Sequence, residues 1–104
     1  MDIKDKVVWV TGAASGIGKA TAEMFFQKGA KVLATDVQEE KGEEVAAQFG
    51  DRGLFLKADV TSTEDSIKAI AAAKDKWGSI HILVNCAGYT RVYPVVTPEG
   101  PGPL

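Results

Sequence analysis

The sequence predicts an α/β protein whose core is a doubly wound parallel sheet, and two features of its pattern lead to this prediction. Short apolar runs of strand length alternate with longer amphipathic segments between residues 5 and 84, which is typical of consecutive βαβ units. The first apolar run, residues 7–10, is continuous rather than alternating, as expected for a parallel strand that helices cover on both faces. With 104 residues, the chain has the length of one small domain.

Composition and charge argue against several classes of partner. The formal net charge of −2 gives no electrostatic reason to expect binding to nucleic acid or to an anionic membrane surface. No apolar run has the length of a membrane span, and the first six residues lack the apolar core of a signal peptide. Cys86 is the single cysteine, so the chain forms no internal disulfide. We therefore expect a cytoplasmic protein that binds neither nucleic acid nor membrane.

Four strands and three helices are predicted before residue 85. The strands span residues 7–10, 31–35, 54–57 and 80–84, and the helices span residues 16–28, 38–48 and 63–77. Gly29 and Gly78 end the first and third helices, and a Ser/Thr-rich stretch supplies N-cap side chains for the third. The stripes expected to face the sheet are Ile17, Ala20, Thr21, Met24 and Phe25 in the first helix, Val45, Ala46 and Phe49 in the second, and Ile67, Ile70, Ala71 and Lys74 in the third.

Three glycines follow the first strand, and each has a separate physical role. Gly12 lets the backbone turn sharply off the strand, because glycine tolerates positive φ. Gly16 leaves room for a phosphate to approach the main chain, and Gly18 lets the next helix pack closely on the strand. The start of that helix points unpaired N–H groups and a partial positive charge at the space above the turn. A diphosphate is the natural occupant of such a site.

The segment Thr-Gly-Ala-Ala-Ser-Gly-Ile-Gly, residues 11–18, has the spacing G-x-x-x-G-x-G rather than the G-x-G-x-x-G of the usual dinucleotide fingerprint. It resembles the T-G-x-x-x-G-[IL]-G motif of the short-chain dehydrogenase/reductase family. The resemblance covers residues 5–88 and implies a Rossmann-like sheet of strand order 3-2-1-4, with a ligand crevice where the chain reverses direction. It also implies that Ser15 and Ile17 contact the cofactor together with the three glycines.

Asp36 stands at the end of the second strand, about 20 residues past the glycines. A carboxylate there accepts hydrogen bonds from both hydroxyls of an adenosine ribose. The alternative is a helix N-cap, for which aspartate is also suited. The ribose role disfavours a 2′-phosphate, and neither Ser15 nor Val37 supplies the Arg or Lys expected at an NADP site. We therefore predict NAD as the cofactor.

Asp59 and Val60 follow the third strand and resemble the family's Asp-[Val/Leu] pair. The resemblance implies that this pair contacts adenine through the carboxylate and a neighbouring backbone N–H. The alternative is that Asp59 lies in an ordinary strand-to-helix loop and caps the next helix. Both interpretations stay open when the pair is considered alone.

The segment Asn85-Cys86-Ala87-Gly88 ends the fourth strand and resembles the family's Asn-Asn-Ala-Gly, with cysteine in the second position. The resemblance implies that Asn85, Ala87 and Gly88 steady the sheet and line the adenosine side of the crevice. Cys86 is interpreted as a small buried hydrophobic residue. The single histidine, His81, is interpreted as structural, and no metal site is predicted because neither His nor Cys recurs at ligand spacing.

The pattern changes after residue 88, where proline and glycine become frequent. We expect residues 1–88 to form an NAD-binding Rossmann half-domain and residues 89–104 an irregular, disordered tail. In the family, a catalytic Tyr-x-x-x-Lys pair lies C-terminal to the Asn-Asn-Ala-Gly motif. No lysine follows Lys76 here, so neither Tyr89 nor Tyr93 has such a partner, and we assign no catalytic residue.

Three interpretations of function stay open. The resemblance implies the NAD-binding half of a truncated oxidoreductase whose parent family acts on alcohols or ketones. A second interpretation is a non-catalytic NAD-binding or interaction module, such as a truncated isoform, and a third is a fragment without autonomous function. In a truncated chain the fourth strand would be an unpaired edge of the sheet, so we expect the chain to form homo-oligomers or aggregates through that strand.

Overall fold

The computed structural model describes residues 2–87, 91–94, 96–97 and 100–101. The first four strands are β1 (Val7–Thr11), β2 (Lys31–Asp36), β3 (Gly53–Lys57) and β4 (Ile82–Asn85), and the helices are α1 (Gly16–Gln27), α2 (Glu39–Ala47) and α3 (Thr63–Trp77). A single 3-10 turn, Gly50–Arg52, lies between α2 and β3. Every one of these strands and helices begins and ends within two residues of its predicted bounds.

β1 lies inside the sheet, between β2 and β4. The strands follow the order β3-β2-β1-β4 and all three pairs are parallel, which confirms the predicted order 3-2-1-4. The register places Thr11, the last residue of β1, beside Thr35 of β2 and Asn85 of β4. The carboxyl ends of these strands therefore meet at one edge of the sheet, which is where α/β sheets bind ligands.

The two faces of the sheet carry separate hydrophobic cores, because successive strand residues point in opposite directions. Val8 of β1 belongs to a core with Ala22 of α1 and Val45 of α2. Trp9, the next residue along β1, belongs to a second core that includes Ala69 of α3. Helices thus cover both faces, and the predicted doubly wound α/β architecture is confirmed.

The predicted apolar stripe of α1 is only partly correct. Ile17 and Met24 were expected to face the sheet but are 69% and 44% exposed, whereas Gly18 and Ala22 are buried. The reason is the close approach of the helix to β1: a Cβ on Gly18 would collide with the carbonyl oxygen of Gly12. Small residues mark the face that comes closest to the sheet, while Phe25 and Phe26 pack partly buried against the same core.

The predicted stripe of α3 is wrong, since its smallest residues are the buried ones. Ile67 is 62% exposed and Ile70 is 38% exposed, while Ala69 and Ala73 are fully buried. By contrast, the stripe predicted for α2 is confirmed, because its apolar members, which include Val45, are all buried. Large apolar side chains identified the buried face of α2, which has one apolar face. They did not identify it in α3, where alanines form a second apolar face opposite the isoleucines.

A fifth strand, β5 (Arg91–Pro94), pairs antiparallel with β4, and β6 (Val96–Thr97) pairs with β7 (Gly100–Pro101). Three short strands therefore lie within the segment predicted to be an irregular tail. The prediction of an unpaired edge at the fourth strand is wrong, and the association expected through that edge loses its basis. An edge strand such as β5 tolerates proline where no ladder N–H is required. The remaining residues of the segment lie outside the described residues.

Candidate functional site

A crevice of about 300 Å³ opens above the carboxyl ends of β1 to β4. Loops that follow all four strands line it, through Gly12, Ser15, Asp36, Val37, Ala58, Asp59, Val60, Cys86 and Ala87. Its volume lies at the lower end of the range of small-molecule sites in proteins. Residues that are far apart in sequence are thus brought together at the point where the strand order reverses.

Most of the predicted site residues lie in or beside this crevice. Six line it directly: Gly12, Ser15, Asp36, Asp59, Val60 and Ala87. Gly16 borders an adjoining cleft. Ile17, Gly18 and Asn85 are not among the lining residues, and Gly88 lies outside the described residues.

Three residues of the crevice wall were not among the predicted site residues, namely Val37, Ala58 and Cys86. Val37 carried a usable signal, because it is a large apolar residue directly after a buried strand, and it is 58% exposed. Val60 on the opposite loop is 44% exposed. The side chains of Val37 and Val60 therefore give the crevice an exposed apolar surface on two of its loops.

The turn after β1 has the backbone geometry that its glycines predicted. Gly12 has φ of +64°, and a Cβ there would lie 3.1 Å from the backbone nitrogen of Ala87. Gly16 has φ of +60°, and a Cβ there would have no heavy atom within 4 Å. Gly12 is therefore required by close packing against the β4 loop, whereas Gly16 leaves open space above the turn.

The N-terminus of α1 has no cap from its own side chains. Ser15 occupies the N-cap position in an extended conformation, but its side chain makes no capping hydrogen bond. The first turn of the helix contains no acidic residue. The N–H groups of this turn therefore keep their hydrogen-bonding capacity and their partial positive charge for an anion in front of the helix.

Asp36 connects the turn after β1 to the end of β2. Its Oδ2 accepts a hydrogen bond of 3.0 Å from the N–H of Ala14, and its Oδ1 accepts one of 2.9 Å from the N–H of Gln38. Asp36 is not the N-cap of α2, since Gln38 holds that position. An ionised carboxylate has about four acceptor positions, so these two bonds leave capacity for a ligand in the crevice.

Asp59 forms a turn of its own rather than capping α3. Its Oδ1 accepts hydrogen bonds from the N–H and the hydroxyl of Thr61, at 2.9 and 2.7 Å. The N-cap is Ser62, whose side chain accepts from the N–H of Asp65. The hydrogen bond from the Thr61 N–H and, to a smaller extent, the one from its hydroxyl hold the pKa of the Asp59 carboxyl below its ordinary value. Asp59 is therefore a fixed, exposed anion on the rim of the crevice.

A short hydrogen-bond network joins the ends of β1 and β4. The Thr11 hydroxyl donates to Oδ1 of Asn85 at 2.7 Å and accepts from the N–H of Cys86 at 3.0 Å. The same Asn85 oxygen accepts from the N–H of Ala87 at 3.2 Å. Asn85 thus orients the loop that lines the crevice, although it is not itself a lining residue.

His81 lies at the opposite end of β4 from the crevice. Its Nδ1 accepts a hydrogen bond of 2.9 Å from the N–H of Val7, and its own N–H donates to the Val7 carbonyl at 2.9 Å. Its position favours the predicted structural role. Across residues 2–87 and the short strands that follow, no group of three His, Cys, Asp or Glu side chains is placed to hold a metal ion. No helix in the described part of the chain is long and apolar enough to cross a membrane.

Known proteins with similar sequences match most of this chain. The sequence model of the family described as short chain dehydrogenase matches residues 6–98. The 3-hydroxyacyl-CoA dehydrogenase type-2 of Drosophila melanogaster is 49% identical over 86 residues, which are 83% of this chain and 34% of that protein. The NAD-dependent glycerol dehydrogenase of Listeria innocua is 49% identical over 88 residues, which are 84% of this chain and 34% of that protein. The chain spans about a third of the length of these relatives.

Solved structures of the same family superpose on this fold. A short chain dehydrogenase/reductase from Burkholderia phymatum in complex with NAD aligns with a TM-score of 0.76 at 28% identity, over 80% of this chain and 31% of that chain. A 3-ketoacyl-(acyl-carrier-protein) reductase from Brucella melitensis complexed with NADH aligns with a TM-score of 0.75 at 38% identity, over 78% of this chain and 34% of that chain. By sequence and by fold, the chain belongs to the short-chain dehydrogenase/reductase family.

Proposed function

We propose that the crevice binds NAD and that the chain is the nucleotide-binding part of an oxidoreductase acting on alcohol or carbonyl groups. The observation that carries the proposal is the uncapped N-terminus of α1, which lies beside the open turn at Gly16 and the carboxylate of Asp36. Two solved relatives are described as complexes with NAD and with NADH, which supports the same class of cofactor here.

The diphosphate of the cofactor would lie against the turn after β1. Gly16 leaves space there, and the first-turn N–H groups of α1 supply hydrogen-bond donors with a favourable helix dipole. Gly12 and Gly18 would act indirectly, since they let the turn and the helix approach the sheet. Bound NAD would supply hydride-transfer chemistry, and the residues described here would bind and orient its adenosine half.

The adenosine would lie between the loops that follow β2 and β3. Asp36 would accept the ribose hydroxyls with the acceptor capacity left by its two backbone bonds. The exposed side chains of Val37 and Val60 would cover the adenine ring, and Asp59 together with a neighbouring backbone N–H would contact its polar edge. The remaining rim would be formed by Ala87 and by Gly88, which follows it in sequence.

We further propose that these 104 residues bind the cofactor without turning over a substrate. No lysine follows Lys76, so no Tyr-x-x-x-Lys pair exists within the chain to supply a positioned proton donor. Such a donor typically contributes about 10²–10⁴-fold to a rate. The chain would thus be an NAD-binding module, which we place in the cytoplasm, and alcohols or ketones would be the substrates of the oxidoreductase to which it belongs.

The test is a calorimetric titration of the chain with NAD and NADP, compared with Asp36→Ala. We expect the wild type to bind NAD more tightly and the variant to lose about tenfold in NAD affinity, as for one charge-assisted hydrogen bond. The advantage of NAD over NADP should also narrow. The ratio of NAD affinity to NADP affinity is insensitive to partial unfolding of the variant, because both ligands bind the same folded fraction.

Asp51→Ala is the matched control, since Asp51 is an exposed aspartate in the turn before β3 and does not line the crevice. Its NAD affinity should equal that of the wild type. Equal binding of NAD and NADP by the wild type would refute the cofactor preference. Steady oxidation of alcohols or reduction of ketones by the purified chain, with contaminating enzyme excluded, would refute the claim that it does not turn over.

A further inference from the structure

A second cleft, of about 340 Å³, lies between α1 and α2 and adjoins the crevice. Two lysines from different helices line it, Lys19 of α1 and Lys41 of α2. The backbone of Ala14, Ser15 and Gly16 forms one wall, and Glu44 lies on another. We refer to this space as the α1–α2 cleft. None of the functions assigned to the crevice uses either lysine.

The charges around the α1–α2 cleft favour an anion. Within the described part of the chain, the single ion pair within 4.0 Å joins Lys68 to Glu64 on α3, so neither Lys19 nor Lys41 is paired with Glu44. Lys19 is also half-buried. Lys41, by contrast, is exposed on α2. Two ammonium groups outnumber one carboxylate beside the positive end of α1, whose first turn has no acidic residue.

The α1–α2 cleft adjoins the crevice at Ser15. Ser15 lines both spaces. Ala14, which lines the cleft, donates its N–H to Oδ2 of Asp36 at 3.0 Å. A group attached to a ribose that is held by Asp36 therefore has a short path past Ser15 to the two lysines. The volume is sufficient for a phosphate, which displaces only a few waters of about 30 Å³ each.

We infer that Lys19 and Lys41 form a phosphate subsite in the α1–α2 cleft. Its ligand is a phosphate dianion, carried either on the 2′-position of the bound ribose or as free inorganic phosphate. The first source rests on the proposed nucleotide site, and the second does not. The subsite opposes Asp36: the carboxylate disfavours a 2′-phosphate, while the two lysines attract it. The preference for NAD over NADP therefore reflects the repulsion of a 2′-phosphate by Asp36 minus its attraction by the two lysines, and not the effect of Asp36 alone.

The test uses Lys19→Gln, Lys41→Gln and Glu44→Gln in calorimetric titrations of the whole chain with NADP and with NAD. Each lysine variant should weaken NADP binding by about tenfold, as for one charge-assisted contact, and change NAD binding by less than about twofold. Glu44→Gln should strengthen NADP binding by about threefold, because it removes a like charge from the cleft. Lys74→Gln on α3 removes the same charge on the opposite face of the sheet and should change neither.

Inorganic phosphate, titrated into the NAD-saturated chain and into the chain alone, separates the two sources. Phosphate binding that the lysine substitutions abolish, with NADP affinity unchanged, would assign the subsite to free phosphate. Loss of NADP affinity alone would assign it to the 2′-phosphate. If neither ligand responds to the lysine variants, or if Lys74→Gln has the same effect, the subsite is refuted. If NAD fails to bind while phosphate binding still depends on the lysines, the proposed function fails and the subsite stands.

Discussion

Two strand-to-helix junctions lie on the same edge of the sheet and differ in how the helix begins. At the β3–α3 junction, the Ser62 side chain accepts the N–H of Asp65, and Glu64 and Asp65 place carboxylates in the first turn. At the β1–α1 junction, Ser15 makes no such bond and the first turn contains no acidic residue. At the start of α3, side chains of the chain itself accept a helix N–H and place negative charge beside the positive helix end. At the start of α1, no side chain caps the helix and no carboxylate lies in the first turn.

We propose that the start of α1 is available to an anion because its own sequence supplies neither a capping side chain nor an acidic residue there. Both helices have a serine at the N-cap position, so residue type alone does not separate them. The separation comes from the acidic first turn of α3 and from the glycines around α1. An anion in front of α1 meets unpaired donors, while an anion in front of α3 would meet two carboxylates.

The largest expected effect is that of Gly16→Val on the open junction. The new side chain would occupy the space above the turn, so NAD affinity should fall by at least about 100-fold, the loss of two or more charge-assisted hydrogen bonds. Calorimetric titration measures this loss. A valine held at the positive φ of Gly16 would also add backbone strain of about 1–3 kcal/mol, and this loss of stability must be separated from the loss of binding.

Gly50→Val provides that separation. Gly50 has φ of +57°, close to the +60° of Gly16, and a Cβ there also meets nothing within 4 Å, but it lies in the 3-10 turn before β3, outside the crevice. Both variants should lose similar stability in urea unfolding, and only Gly16→Val should lose NAD binding. Equal NAD affinities for the two variants would contradict the role assigned to the open turn.

A smaller effect is expected from removing the cap of the closed junction. Ser62→Ala should destabilise the fold by about 1 kcal/mol, because it deletes an N-cap hydrogen bond. Ser15→Ala deletes no capping bond and should change stability by less than about 0.5 kcal/mol. Urea unfolding of the two variants measures both values. The contrast between the junctions would be wrong if Ser15→Ala were the more destabilising substitution.

The smallest effect concerns Asp59, which lies on the loop before α3. Because the pKa of its carboxyl is lowered in the folded state, the charged form stabilises the fold above the unfolded pKa of about 3.8. That contribution disappears as the pH falls through the lowered folded pKa. The stability difference between wild type and Asp59→Asn, measured by urea unfolding, should therefore be present at pH 6 and shrink below about pH 4. A difference that grows on acidification would have the wrong sign.

The sequence was sufficient to predict the order of the parallel strands, the bounds of α3 and the positive φ of Gly12. The bounds of α3 and the φ of Gly12 depend on local signals, namely a cap and a glycine, whereas the strand order followed from the resemblance of residues 11–18 to the family motif. The buried faces of α1 and α3 were missed because Ile17 and Ile67 suggested the opposite side from the one that backbone approach selects. Close approach depends on distances between elements, which a single sequence does not contain.

Two features of the candidate site were also beyond prediction. The hydrogen bond from Ala14 to the Asp36 carboxylate joins residues 22 positions apart. It forms only when β1 and β2 are paired, so the sequence did not show that this carboxylate accepts two backbone hydrogen bonds. The α1–α2 cleft likewise depends on how two helices lie side by side on one face. β5 was missed because backbone pairing with β4 needs no side-chain pattern.

The central claim is that NAD binds at the open β1–α1 junction and not at the closed β3–α3 junction. The most direct measurement is a titration of the ¹⁵N-labelled chain with NAD, followed by the amide resonances of the two helix N-termini. We expect the largest shifts at residues 12–18, smaller ones at residues 36–37, 59–60 and 86–87, and almost none at residues 63–66. Shifts concentrated at residues 63–66, or no saturable shifts at millimolar NAD, would contradict the account.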